Sequence, residues 1–329
     1  MKYYFTLSCL GLLLMSFVFG CKKGSTNPAS NYDVYVSGVY QDAAVYWKNG
    51  TLVSLGALAN ASAGKIAVYG SDVYVAGAYS GQDLYYHAVY WKNGQLTDLG
   101  HGQATGIAVN GSDVYVVGVT YGDDDFLAAS WKNGVLSTWG QGYINQVITS
   151  GDDVYMAGGT YDTVGSPIAT YWKNNVPISL GYGQINAIAV SGSDVYAAGY
   201  SISGGTTSAC YWKNGQVVKL GDETTVPTSI IVSSGDVYVA GNSPGSASGA
   251  TYWKNGTPVS VPGAVTLTGI AIEGSDIFFS ANYQQADLTQ SPPTSSLMFE
   301  NGKATTLATS NGPAGEPPTY TNGLAVVKK

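Results

Sequence analysis

The 329-residue chain contains no arginine: its 14 basic residues are all lysines, set against 21 acidic residues for a net charge of −7. Arginine is the usual fork for phosphates and guanine edges, and a net negative chain repels polyanions. A nucleic-acid partner is therefore excluded. Charged residues make up only 11% of the chain, against about 25% in an ordinary domain, so neutral polar side chains cover the surface. Cysteine is scarce as well, at positions 9, 21 and 210. That leaves neither a disulfide framework nor a cysteine metal site.

Two histidines, His87 and His101, are too few for a His-rich metal site and read as surface residues. Asp123-Asp124-Asp125 lacks the alternating spacing and distant Glu of a calcium loop. Gly100-His101-Gly102 and Gly181-Tyr182-Gly183 are followed by no helix, so neither makes a phosphate loop. No metal and no cofactor is expected. No catalytic constellation can be argued from spacing, and the chain reads more readily as a binding or scaffold protein than as an enzyme.

What is present begins at the N-terminus. Behind Lys2 an apolar run extends from Phe5 to Phe19, short of the ~20 residues a spanning helix needs. It has the make-up of a signal peptide. The ending Val18-Phe19-Gly20-Cys21 resembles a bacterial lipobox. That resemblance implies removal of residues 1–20 and a lipid on Cys21, which would anchor the protein to the outer membrane. Residues 21–31 are polar with Gly, Pro and Ser, a flexible tether, and 32–329 form the folded domain. Cys210 would then be its only thiol.

From Asp33 one pattern recurs. Copies of DVYVAG begin at Asp33, Asp72, Asp113, Asp153, Asp194, Asp236 and Asp276, spaced 39 to 42 residues apart. Each is followed by a YWKNG segment or a near copy, with Phe299 in place of the tryptophan in the seventh, by a short strand such as LTDLG, and by an apolar strand like GIAV. A period near 40 with four short strands per unit marks a propeller blade. The expected fold is all-β: a seven-bladed β-propeller of four-stranded blades. The chain starts on the second strand of a unit, so its C-terminal strand, Gly323 to Val327, is expected to close the first blade. A closed ring leaves no free edge, and a monomer is expected. The segment His87 to Gly100 (HAVYWKNGQLTDLG), with the later pairs Ile144-Asn145 and Ile185-Asn186, resembles the HAF family of probable extracellular repeat proteins. That resemblance implies an exported, propeller-like protein and carries no catalytic residues.

Repetition separates scaffold from site. The aspartates opening each DVY are expected to accept backbone N–H groups in turns, and the repeated Tyr and Trp to pack between blades. Loop positions that vary are the candidate ligand face: Tyr79, Tyr85, Tyr86, Tyr121, Tyr143, Tyr161, Tyr182 and Tyr283, with Asp123 and Asp125. Rings beside acceptor oxygens suit a glycan, or an exported protein. Asp83, Asp123, Asp125 and Glu223 would serve a polysaccharide hydrolase or lyase, the alternative reading. A third reading is an outer-membrane assembly scaffold. A ring at the channel mouth, Thr105, Asn145, Asn186, Thr228, Thr268 and Asn322, either coordinates a ligand or caps its own backbone.

Overall fold

Lys-Asn-Gly between two strands sets the local pairing. At Asn93-Gly94 the φ angles are +50° and +79°, the two left-handed residues of a type I′ turn, whose twist matches that of the strands it joins. The computed structural model describes residues 31–122, 126–243, 249–284, 294–310 and 319–329. The chain divides into Met1–Asn31 and Tyr32–Lys329, and among the described residues every strand lies in the second unit. Cys21, Asp123 and Asp125 lie outside the described residues.

The first strands are β1 (Tyr32–Tyr40), β2 (Ala43–Lys48), β3 (Thr51–Ser54), β4 (Ser62–Tyr69), β5 (Asp72–Ser80), β6 (Tyr86–Lys92) and β7 (Gln95–Asn110). Next come β8 (Asp113–Tyr121), β9 (Phe126–Lys132), β10 (Val135–Ser150), β11 (Asp153–Tyr161), β12 (Pro167–Lys173) and β13 (Val176–Ser191). The third stretch holds β14 (Asp194–Ser203), β15 (Thr206–Lys213), β16 (Gln216–Lys219), β17 (Val226–Ser233), β18 (Asp236–Asn242), β19 (Ala250–Lys254) and β20 (Thr257–Ser260). The last are β21 (Thr266–Glu273), β22 (Asp276–Gln284), β23 (Thr294–Glu300), β24 (Lys303–Ser310) and β25 (Tyr320–Lys328).

The fold is all-β, and every pairing is antiparallel. The strands associate in fours, inner to outer: β25-β1-β2-β3, then β4 to β7, and so on to β21-β22-β23-β24. Val36 of β1 faces Leu324 of β25, so the first and last strands share one sheet. The expected loops between an outer strand and the next inner one are absent from three of the crossings. There β7, β10 and β13 run 16 residues each and serve both groups. Glycines allow the corner: Gly100 and Gly102 in β7 have φ +91° and +151°. Tyr143 and Tyr182, expected in loops, therefore sit on strands.

Each four-strand group carries one clasp. The Asn93 side chain accepts the Val73 N–H at 2.9 Å and donates to Asp72 at 2.7 Å. Lys92 pairs with the other Asp72 oxygen at 2.8 Å and lies over the Tyr74 ring. The sequence points to the aspartate as acceptor of the main-chain N–H; the asparagine takes that place, because its amide both accepts and donates. The aspartate holds that asparagine in position. The clasp repeats at Asp33, Asp113, Asp153, Asp194 and Asp236. In the last group Asp276 still holds Asn301, but Glu300 stands where lysine stands elsewhere.

The tryptophans knit neighbouring groups. Trp91 packs with Tyr35 and Ala44 of the group before it, and Trp131 with Tyr74, Ala76 and Ala88. Trp47, in the first group, packs on Phe278 and Met298 of the last. These indoles are 1% exposed, and removing one to alanine costs about 3–5 kcal/mol. The inner strands β4, β7, β10, β13, β17, β21 and β25 together line a single cavity of about 510 Å³ with Ile66, Ile107, Val147, Ile188, Ile230, Ile270 and Leu324 among its walls.

Candidate functional site: a histidine and carboxylate cluster at a sheet corner

Pairing register builds the site. Tyr79 of β5 faces His87 of β6, and His87 faces His101 of β7. A register shift between His87 and Val89 makes the second match possible. One row across three strands thus holds a tyrosine and both histidines of the chain. Spacing alone sets these histidines apart as surface residues, because 14 positions separate them and a bulge changes which residues oppose each other.

Carboxylates join the row from both sides. His87 Nδ1 lies 3.0 Å from Asp98, and His87 Nε2 lies 3.1 Å from Asp83. His101 Nε2 lies 2.8 Å from the same Asp83 oxygen. Tyr79 donates to Asp98 at 3.0 Å, as does the Gly100 N–H at 2.8 Å. The Tyr85 ring stacks on His101 with centroids 4.8 Å apart. A Cβ at Gly81 would collide with the Asp83 carboxylate and the His87 ring, so only glycine leaves them room. Leu84, at the loop tip, is almost fully exposed with φ +69°, a left-handed conformation costly for a branched side chain.

The charges respond to these contacts. The Tyr85 N–H and then His101 draw the Asp83 carboxyl down to about 2. Burial opposes a charged His87, but its ring hydrogen bonds to the Asp83 and Asp98 carboxylates outweigh it and raise its pKa. Burial would likewise raise Asp98; the Gly100 N–H, Tyr79 and His87 lower it instead.

The other predicted residues fall in several places. Tyr86 opens β6 and Tyr121 ends β8, where burial raises the Tyr121 hydroxyl pKa. Tyr143 and Tyr161 form a second aromatic group, with rings 6.3 Å apart and Phe126 6.1 Å from Tyr161; burial pushes the Tyr143 hydroxyl pKa up. Tyr182 sits beside Asp162, whose carboxyl is held low by the Ser166 N–H first and by that tyrosine in part. Tyr283 lines a separate pocket with Tyr320 and Val265. Glu223 is exposed in the turn before β17, beside Asp222, whose carboxylate is taken up by Thr224.

The channel-mouth ring has a structural explanation. Thr105, Asn145, Asn186, Thr228 and Thr268 fall at the register shifts of their strands, and Asn322 opposite the shift in β1. A bulge re-aims a side chain, and each of these reaches the next inner strand. Thr105 donates to the Ile144 carbonyl at 2.6 Å, Asn145 to Ile185 at 2.7 Å, and Asn186 to Pro227 at 2.8 Å. Thr228 donates to Leu267 at 2.6 Å, Thr268 meets Thr321 at 2.8 Å, and Asn322 donates to Ala63 at 2.7 Å. All of them except Thr268 line a cavity of about 370 Å³, together with Lys65, Ser62 and Gln103 among others. The Lys65 ammonium donates to the Thr268 carbonyl at 3.3 Å, and burial pushes its pKa down to about 8.

No family model matches the chain, and no curated protein matches it. Among solved structures it is similar to the β-propeller domain of the Trilobed protease from Pyrococcus furiosus, with 10% identity over 86% of this chain and 96% of that one, TM-score 0.49. It is also similar to an ulvan lyase from a new polysaccharide lyase family, with 10% identity over 85% and 86% and TM-score 0.48. Against an acylaminoacyl peptidase from Pyrococcus horikoshii the identity is 10% and the TM-score 0.42; the match covers 52% of that protein's length.

Proposed function

We propose that this is a lipid-anchored binding protein of the bacterial cell envelope, a closed seven-bladed β-propeller that holds a glycan at the Tyr85 corner. The ring is supported by three cyclic patterns: the bulge hydrogen bonds from one inner strand to the next, the indoles packed on the preceding group, and one cavity shared by seven inner strands. The anchor is supported by the lipobox-like ending at Cys21 and the polar tether behind it. It is tested by Cys21→Ser, which should release the protein from the membrane fraction.

The observation that carries the glycan reading is the exposed Tyr85 ring, stacked on His101 beside Asp83 and Asp98. A sugar offers apolar C–H faces to such a ring and hydroxyl donors to such carboxylates. The test is a glycan array read with the native protein, Tyr85→Ala and, as a control away from this corner, Tyr69→Ala. Saturable binding lost in Tyr85→Ala and kept in Tyr69→Ala supports the reading; binding indifferent to Tyr85 overturns it. Capture of an exported envelope protein through the same residues would move the ligand class from sugar to protein. A second reading, a polysaccharide hydrolase or lyase, draws on His87, which spans Asp83 and Asp98 and is placed to move a proton between them. Shortening of a bound polysaccharide in the same assay would favour it.

A further inference from the structure

The geometry points to a transition-metal site formed by Asp83, His87 and His101, selective for Zn²⁺-class ions. One carboxylate oxygen and one nitrogen from each imidazole lie within 4.8 Å of one another. Both histidines already turn Nε2 toward the same Asp83 oxygen, at 3.1 and 2.8 Å. A cation entering between them replaces those hydrogen bonds with coordinate bonds, and small ring rotations bring the three atoms to the ~2.0–2.2 Å that zinc requires. Two imidazoles and a carboxylate match Zn²⁺ and its borderline neighbours; Ca²⁺ and Mg²⁺ prefer all-oxygen sets.

A second, independent feature is the support behind the ligands. Metal-bound histidine usually donates its other ring N–H to a carboxylate, which fixes the tautomer and aims the ring. Here His87 Nδ1 is 3.0 Å from Asp98, and Asp98 is itself held by Tyr79 and the Gly100 N–H. Tyr85 stacked on His101 restrains the other ring. A metal ion displaces the proton from the ring nitrogen it binds; the imidazoles are then neutral, Asp83 and Asp98 give the cluster two negative charges, and among the described residues no lysine pairs with either. A divalent cation is therefore drawn in. The outer side is open to solvent, leaving room for water or a ligand oxygen as a further donor. This site goes beyond the glycan reading and does not depend on it.

The experiment uses the full chain, ZnCl₂ or CaCl₂ as the only added ligand, and no sugar. Calorimetric titration should give one equivalent of Zn²⁺ and none of Ca²⁺. The chain has only two histidines, so imidazole NMR reads the site directly, and both ring signals should shift together with zinc. His101→Ala should remove saturable binding. Asp98→Asn, which keeps all three ligand atoms, should weaken it about 10- to 100-fold. Affinity should fall as pH drops and the imidazoles take up protons. Circular dichroism and the shifts of the remaining histidine show whether each variant keeps its fold. Absence of one-to-one binding, a shift of only one histidine, or zinc binding unchanged in a folded His101→Ala protein would overturn the proposal.

Discussion

Asn322, near the end of the chain, donates a 2.7 Å hydrogen bond to the carbonyl of Ala63, 259 residues earlier. It bonds β25 to β4, strands that lie against each other with no backbone ladder between them. Replacing it with alanine takes a partner from the carbonyl of the buried Ala63, a loss of about 1–3 kcal/mol. Urea unfolding of Asn322→Ala should show that drop, with the m-value unchanged. The same substitution at Asn186 should cost a similar amount, because its bond to Pro227 is of the same kind. A negligible effect at Asn322 together with a full effect at Asn186 would argue against a closed ring.

Asn93 carries both a turn conformation and two hydrogen bonds, and two variants separate them. Asn93→Gly keeps the φ of +50° at no steric cost but loses the bonds to Val73 and Asp72, a cost of about 1 kcal/mol. Asn93→Ala loses the bonds and forces a Cβ into the left-handed region, so about 2–3 kcal/mol is expected. Lys92→Ala removes an exposed ion pair and an exposed cation contact with the Tyr74 ring, and should do least of the three. Thermal and urea midpoints that do not follow this order would show that the clasp is not the stabilising element.

The repeat is legible in the sequence because its chemistry is local. Asp-Val-Tyr and Lys-Asn-Gly, or close variants such as Lys173-Asn174-Asn175 and Glu300-Asn301-Gly302, announce a strand and a two-residue turn at each copy, and the period supplies the rest. The inner ring is legible as a set of positions, but not as bonds. The aim of Thr105 or Asn145 depends on a bulge, and a bulge depends on the pairing of both strands. His87, Asp98 and His101 are illegible for the same reason: a one-residue change of register decides whether they face one another or opposite sides of the sheet. Tyr143 and Tyr182 read as loop residues because a strand that bends at Gly142 or Gly183 carries the same glycines as a loop.

The clasps also set acid sensitivity. Lys92 first, and then Asn93, lower the Asp72 pKa below 3.8, and Asp113, Asp153 and Asp236 are lowered by their own Lys and Asn in the same order. For Asp33 and Asp194 the asparagine leads. A carboxyl with a folded pKa below its unfolded one stabilises the fold above the unfolded value, and that contribution disappears as pH falls through the folded value. Stability should therefore be level in this respect above about pH 5 and fall increasingly below about pH 4. Measured by urea midpoints, the fall should be shallower in an Asp72→Asn, Asp113→Asn double variant than in the native protein.

Lys65 has the opposite linkage. It projects from β4 against the cavity, it is held by one carbonyl, and burial pushes its pKa from 10.5 down to about 8. At pH 7 the ammonium is charged in both states, and the folded state bears the cost of burying it. Between pH 8 and 10.5 the folded protein releases its proton while the unfolded chain keeps one, so stability attributable to this residue rises with pH across that window. Lys65→Met keeps much of the length of the side chain and removes the charge. At pH 7 it should stabilise the protein by roughly 1–3 kcal/mol, since one pKa unit corresponds to about 1.4 kcal/mol and the Thr268 carbonyl gives up a donor. The advantage should shrink as pH approaches 10.5. A Lys65→Met variant less stable than the native protein at about pH 7, with a gap that does not change as the pH is raised, would mean that the ammonium is held by more than the Thr268 carbonyl.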